Sequence, residues 1–184
     1  LPNTFTYWDI GGASPEMWLI ANSVTSVYGD ANNPVTSIAY KNGRVSISAK
    51  GTGGLSVLDF VKDLSVVRIS NTSGYWPSNI ADRNLGTGAL SVVSNYFHNS
   101  LTSRSVNTLS LTFEPDAPYD NLGMREPTII AGVGVNAAAG GGTNIIRPDG
   151  SVRVINASSS VGGYNVRNLD VDRDGRLVIG MAFG

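Results

Sequence analysis

The chain has no cysteine. A disulfide framework and a thiolate metal site are therefore excluded. The compartment stays open, because packing or oligomerisation alone can stabilise an extracellular protein. Charge is also scarce, at 15% of 184 residues against a usual level of about 25%. Lysine occurs only at Lys41, Lys50 and Lys62, and glutamate only at Glu16, Glu114 and Glu126. Both are good helix formers, so their scarcity speaks against a helical protein. The net charge is −1 and the ten arginines are scattered from Arg44 to Arg176. A nucleic-acid binder would gather such residues into a basic stripe, so no nucleic-acid partner is expected. No apolar run approaches the ~18 residues of a membrane span, and no membrane insertion is expected. The first residue is Leu1, with no charged and apolar leader behind it. The chain is expected to be part of something longer.

The single histidine, His98, narrows the chemistry further. One histidine cannot build a His-rich zinc site. A Ser-His-Asp hydrolase would need it as base, yet no G-x-S-x-G elbow is present. His98 follows Tyr96-Phe97 and reads as a partly exposed strand-end residue.

What the chain does contain is alternation. The hydrophobic fraction of 41% is that of a globular protein, and a chain of this length can bury roughly 70% of its unfolded surface. Val45, Ile47 and Ala49 alternate with Arg44, Ser46 and Ser48. Leu109, Leu111 and Phe113 repeat the pattern, as do Val152 and Val154, and Leu177, Ile179, Met181 and Phe183. Such alternation predicts strands with one face buried and one face wet.

The turns between the strands carry their own signals. Asn42-Gly43 suits the positive φ angles of a tight hairpin. Arg147-Pro148-Asp149-Gly150-Ser151 and Asp172-Arg173-Asp174-Gly175-Arg176 are two further hairpin turns. Helical signals are few: Ser14-Pro15-Glu16 could open a turn or two over Met17 to Ala21, and residues 78–84 could form another. Ala89 to Phe97 reads as a strand. The glycine-rich stretch from Gly132 to Thr143 reads as a flexible loop or as a place of close backbone approach. The expected fold is all-β, an antiparallel β-sandwich of jelly-roll-like form, in one domain spanning 1–184 with a soft boundary near 115–118, where Pro115 and Pro118 end the preceding strand.

Three constellations carry candidate chemistry. Asp170-Val171-Asp172-Arg173-Asp174-Gly175 matches the first half of a calcium loop, in which carboxylates two residues apart converge on a hard cation. The twelfth position, where a bidentate Glu is expected, is Met181, and the following residues read as a strand. Asp170, Asp172 and Asp174 are thus either metal ligands or solvated residues that favour the turn. The stretch also resembles one calcium-loop repeat of FG-GAP β-propellers, but such repeats come in series and only one copy is present. Glu114, Asp116, Asp120 and Glu126 form an acidic patch that, with Asp149, could supply a glycosidase pair. Their flanking prolines favour solvated loop residues instead. Finally, Ser73-Gly74-Tyr75-Trp76-Pro77-Ser78 places two aromatics between turn formers. Tyr75 and Trp76, with Tyr96 and Arg83, suit stacking on a sugar ring and bonding its hydroxyls, or packing at a subunit interface.

Taken together, the Cys-free, Lys-poor, Gly/Ser/Asn/Thr-rich strands, the punctuated hairpins and the aromatic turn resemble a distal module of a bacteriophage tailspike or tail fibre. The resemblance is one of style over the whole chain, and no family catalytic residue maps onto a position here. It implies a homotrimer on the outside of a virion, carried behind a larger shaft. It also implies binding to bacterial surface polysaccharide, stabilisation of the trimer, or both. The alternatives are a fragment of a polysaccharide-degrading glycosidase or lyase and a purely structural assembly domain.

Overall fold

The computed structural model describes residues 4–7, 17–20, 34–51, 54–62, 64–69, 72–76, 91–93, 101–103, 105–134, 141–156, 164–172 and 174–183. Among these the chain forms antiparallel strands and no helix, as the composition required. β1 (Thr4–Tyr7) and β2 (Met17–Ile20) pair as a ribbon, Thr4 opposite Ile20 and Tyr7 opposite Met17. Met17–Ile20 is thus strand where the sequence offered a helical turn or two, while Ser14-Pro15-Glu16 lies outside the described residues. Pairing with β1 overrides a local signal worth only tenths of a kcal/mol per residue.

The next six strands form a meander: β3 (Val35–Lys41), β4 (Arg44–Ala49), β5 (Gly54–Asp59), β6 (Leu64–Ile69), β7 (Thr72–Trp76) and β8 (Ser91–Val93). A second meander of four follows: β9 (Val106–Thr112), β10 (Thr128–Val133), β11 (Gly142–Ile146) and β12 (Val152–Asn156). β13 (Tyr164–Val171) and β14 (Leu177–Phe183) close the chain as a hairpin. Every described pairing joins neighbours along the chain. The strand order is thus that of meanders and not the crossed-over order of a jelly roll. The connections explain why: each expected hairpin has its turn chemistry in place. Asn42 and Gly43 take φ of 46° and 72° between β3 and β4, both positive as a two-residue hairpin demands. Arg147 N–H donates to Ser151 O between β11 and β12, and Asp172 N–H to Arg176 O between β13 and β14.

The four-stranded sheet is covered on both faces. On one face Leu109, Ile129, Ala131, Val133 and Ile146 cluster with Leu55 of β5, and Ala39 and Val57 pack against them. On the other, Ile130 packs with Val166 and Leu169 of β13, joined by Leu177 and Ile179 of β14. Adjacent residues Ile129 and Ile130 thus serve opposite cores, as the strand period of two requires. The shared face expected of Leu177 and Ile179 is present, while Met181 lies beyond the core and is exposed. A register shift between Gly132 and Val133 keeps both Val106 and Leu109 in the first core.

Part of the glycine-rich segment is explained by close approach. A Cβ on Gly132 would lie 2.5 Å from Val166 Cγ1 and 2.7 Å from Thr108 Cγ2. Glycine there lets β13 lie tightly across the sheet, and Asn107 Nδ2 donates to Val166 O at 3.0 Å. Residues 135–140 of that segment lie outside the described residues. The 115–118 stretch falls in the connection between β9 and β10, which pair in one sheet.

One expectation fails instructively. All six residues of β4 are buried, including the face expected to be wet. Register sets Arg44, Ser46 and Ser48 opposite Asp59, Val57 and Leu55. Leu55 and Val57 belong to the core against the four-stranded sheet, so the polar face of β4 points between the sheets. Serine is small enough to fit there. Ser48 Oγ bonds Thr36 Oγ1 at 2.8 Å and Ser37 O at 3.2 Å, whereas Ser46 Oγ is buried without a partner.

A charged cleft between the sheets

The Asn42-Gly43 turn positions a buried cluster of charge. It places Arg44 at the first position of β4, directly opposite Asp59 at the end of β5. Both side chains are more than nine-tenths buried, and Arg44 Nε donates to Asp59 Oδ2 at 2.6 Å. The other oxygen, Asp59 Oδ1, accepts Val61 N–H at 3.1 Å and Lys62 N–H at 3.0 Å. Asp59 therefore holds both the arginine and the turn that carries Lys62.

Glu126 comes from the other side, just before β10. Its N–H donates to Pro118 O, and the neighbouring Arg125 carbonyl accepts from Asn42 Nδ2 at 3.0 Å. The carboxylate takes Arg44 at 3.0 Å through Oε2 and Lys62 Nζ at 2.8 Å through Oε1. Two cations and two anions thus close a balanced network across the two meanders. Burial alone would push the Glu126 carboxyl up. The hydrogen bonds and charges of Lys62 and Arg44 outweigh it and hold the group below the usual carboxylate range. Charge-assisted bonds of this kind are roughly twice as strong as neutral ones.

A cleft of about 220 Å³ opens beside the network. Val57, Leu64 and Val66 line it from the six-stranded sheet, and Ile129 and Ile146 from the four-stranded sheet. Arg44, Asp59, Lys62 and Arg147 supply its polar groups. Lys62 and Arg147 are each 43% exposed and stand at the solvent side. Arg147 is oriented by Glu114, whose two oxygens lie 3.0 and 3.1 Å from Nε. The arrangement offers an aliphatic floor and cationic donors, the mixture expected of a small-ligand site.

Of the residues singled out in the sequence, Glu126 and Glu114 adjoin the cleft through Arg44, Lys62 and Arg147. Tyr75 and Trp76 belong to strand β7, opposite Val66 and Ser65 of β6, and not to a turn. Aromatics fit a pleated surface well, and here that preference prevailed over the flanking glycine. Tyr96, Arg83 and His98 lie outside the described residues, as does the 78–84 stretch. Of the 89–97 segment, residues 91–93 are strand. Asp170, Asp172 and Asp174 are exposed. Asp170 Oδ1 accepts Val171 N–H, and Asp172 Oδ1 accepts Asp174 N–H at 3.0 Å and Arg176 N–H at 2.7 Å. No group of three or more His, Cys, Asp or Glu residues able to hold a metal ion occurs among the described residues.

The acidic patch divides among separate tasks. Glu126 is buried in the network, so its reading as a solvated loop residue is corrected. Glu114 orients Arg147. Asp120 Oδ1 accepts Leu122 and Met124 N–H groups and shapes a turn. Asp116 is exposed. Asp149 is exposed too, and its carboxyl is lowered by hydrogen bonds from the Ser151 side chain and N–H. Sequence reasoning missed the Arg44–Glu126 pairing, for no local spacing links the two residues. No family model matches the chain, and no curated protein or solved structure matches it either.

Proposed function

We propose that this chain is the distal module of a bacteriophage tailspike or tail fibre, exposed on the virion, where it binds host cell-surface glycan and stabilises the trimer. The observation that carries the binding half is the cleft, in which aliphatic walls from two sheets meet the cationic groups of Lys62 and Arg147. A sugar ring has an apolar C–H face and a polar rim, and both find counterparts there. Exposed apolar side chains support the assembly half. Ile38 and Tyr40 on β3, and Val178 and Met181 on β14, are each more than half exposed, in a chain with few charges to keep copies apart.

Two measurements test the reading. Light scattering is expected to give three times the 19.3 kDa chain mass, and a strict monomer would overturn the trimer. Incubation with host polysaccharide is expected to show binding without new reducing ends. Release of reducing ends would favour the polysaccharide-degrading alternative, and absence of binding would leave only a structural assembly domain.

A further inference from the structure

The edge of a sheet carries unpaired N–H and C=O groups, and natural proteins blunt it with charges, prolines, bulges, short strands or covering segments. Several edges here are so treated. β3 lies against β9, where Thr36 Oγ1 donates to Val106 O at 2.6 Å and Lys41 Nζ to Leu111 O at 3.3 Å. β8 has three residues, and β1 and β2 have four each. β13 carries a bulge between Val166 and Asn168, which bends the strand. β14 has none of these devices. It runs Leu177-Val178-Ile179-Gly180-Met181-Ala182-Phe183, seven residues without charge or proline. Among the described residues only β13 pairs with it. Gly180 is exposed, and Val178 and Met181 are more than half exposed. An open, uncharged strand of this kind recruits another strand.

β12 offers the matching edge. It ends the four-stranded sheet, with β11 as its one strand neighbour among the described residues. Arg153, Val154 and Ile155 on it are all exposed. Arg153 is its one charge. Two β12 edges set against each other would bring Arg153 towards its own copy, and like charges placed opposite are destabilising. Against the uncharged β14 it meets none. A trimer needs two unlike edges in any case. One patch meeting itself closes a dimer, whereas a ring of three is built by a head-to-tail contact between two different patches.

Building on the trimer reading above, we infer that β14 of one copy pairs with β12 of a second copy, and that three such contacts close a ring. Each contact extends a four-stranded sheet by the β13–β14 hairpin of the neighbour. Backbone hydrogen bonds supply the contact, and the exposed Val178, Val154 and Ile155 supply apolar area beside it. The closed ring leaves neither edge open. An unclosed series of the same contacts would grow into a fibre, so closure is what keeps an edge as unprotected as β14 soluble.

Amide hydrogen exchange and light scattering on the intact chain test the pairing. An edge strand bonds only alternate N–H groups to its single neighbour, and a strand paired on both sides bonds them all. Slow exchange is therefore expected at consecutive residues of both β14 and β12 in the wild-type trimer. Val178→Lys and Val154→Lys each put a charge on one of the two edges, and each should reduce the mass from three chains to one. Leu122→Lys, at an exposed position in the connection between β9 and β10, should leave three. A wild-type trimer with fast exchange at alternate β14 residues would overturn the pairing and leave the trimer reading standing. So would a Val154→Lys protein that remains a trimer. A wild-type dimer would overturn both, and would mark β14 pairing with itself if Val178→Lys alone dissociates it. A wild-type monomer would also overturn both. The wild-type exchange pattern decides the question even where a lysine variant fails to fold.

Discussion

Replacing Glu126 by Gln keeps the side-chain volume and removes one charge from the buried network. Arg44 would keep Asp59 at 2.6 Å but lose its second anionic partner, while remaining more than nine-tenths buried. Lys62, being 43% exposed, can turn to water. The uncompensated charge is therefore chiefly that of Arg44. Breaking a buried pair by removing one partner costs roughly 3–5 kcal/mol, and the surviving Asp59 contact places this case at about 3 kcal/mol. With a urea slope of about 2 kcal/mol/M, the unfolding midpoint should fall by about 1.5 M at unchanged slope. Glu114→Gln is the matched control, because its pair with Arg147 is solvent-exposed. Such pairs are worth about 0.2–1 kcal/mol. The pH dependence follows from the same charge. Glu126 is held below its ordinary value of 4.5 when folded, so its contribution is present above pH 4.5 and is lost as pH falls from there through the folded value. Wild type should lose stability over that window more steeply than Glu126→Gln. Equal midpoints for the two glutamine variants, or identical acid slopes for wild type and Glu126→Gln, would refute the reasoning.

Other expectations are local. Gly132→Ala should destabilise by about 1–3 kcal/mol through overpacking, since its Cβ would meet Val166 Cγ1 at 2.5 Å. Val166→Ala should relieve part of that loss in thermal melts, and strict additivity of the two would refute the close contact. Gly43→Ala should cost about 1–3 kcal/mol, because φ is 72° there and the new methyl would lie 2.8 Å from Val61 Cγ2. A melting temperature equal to wild type would count against the tight hairpin. Asp172→Ala should lose about 1 kcal/mol by freeing the N–H groups of Asp174 and Arg176. Asp172→Asn, which keeps the accepting oxygen, should retain most of it in chemical denaturation. A large loss in the Asn variant, abolished by removing calcium, would instead mark a metal site.

The hairpins were legible because their determinants are local. Asn42-Gly43, Pro148-Asp149-Gly150 and Asp174-Gly175 each specify a turn within a few residues, and each turn formed. Strand faces were legible too, for Leu109 and Leu111 share a core as their spacing demands. What alternation cannot state is whether the polar face is covered. Ser46 and Ser48 read as solvent-facing, yet a second sheet lies over them, and serine is compatible with either surrounding. The site was hidden for a related reason. Arg44 and Glu126 meet only because the turn before β4 docks on the segment before β10, as in the Asn42–Arg125 bond between residues 83 apart. The scarcity of charge nevertheless held a usable signal. Of three glutamates in the chain, Glu126 holds Arg44 and Lys62, and Glu114 holds Arg147. A chain this sparing with charged groups has two of its three glutamates beside one cleft. Both pair cations where the two meanders meet, so the scarce glutamates hold charged side chains in place at that junction.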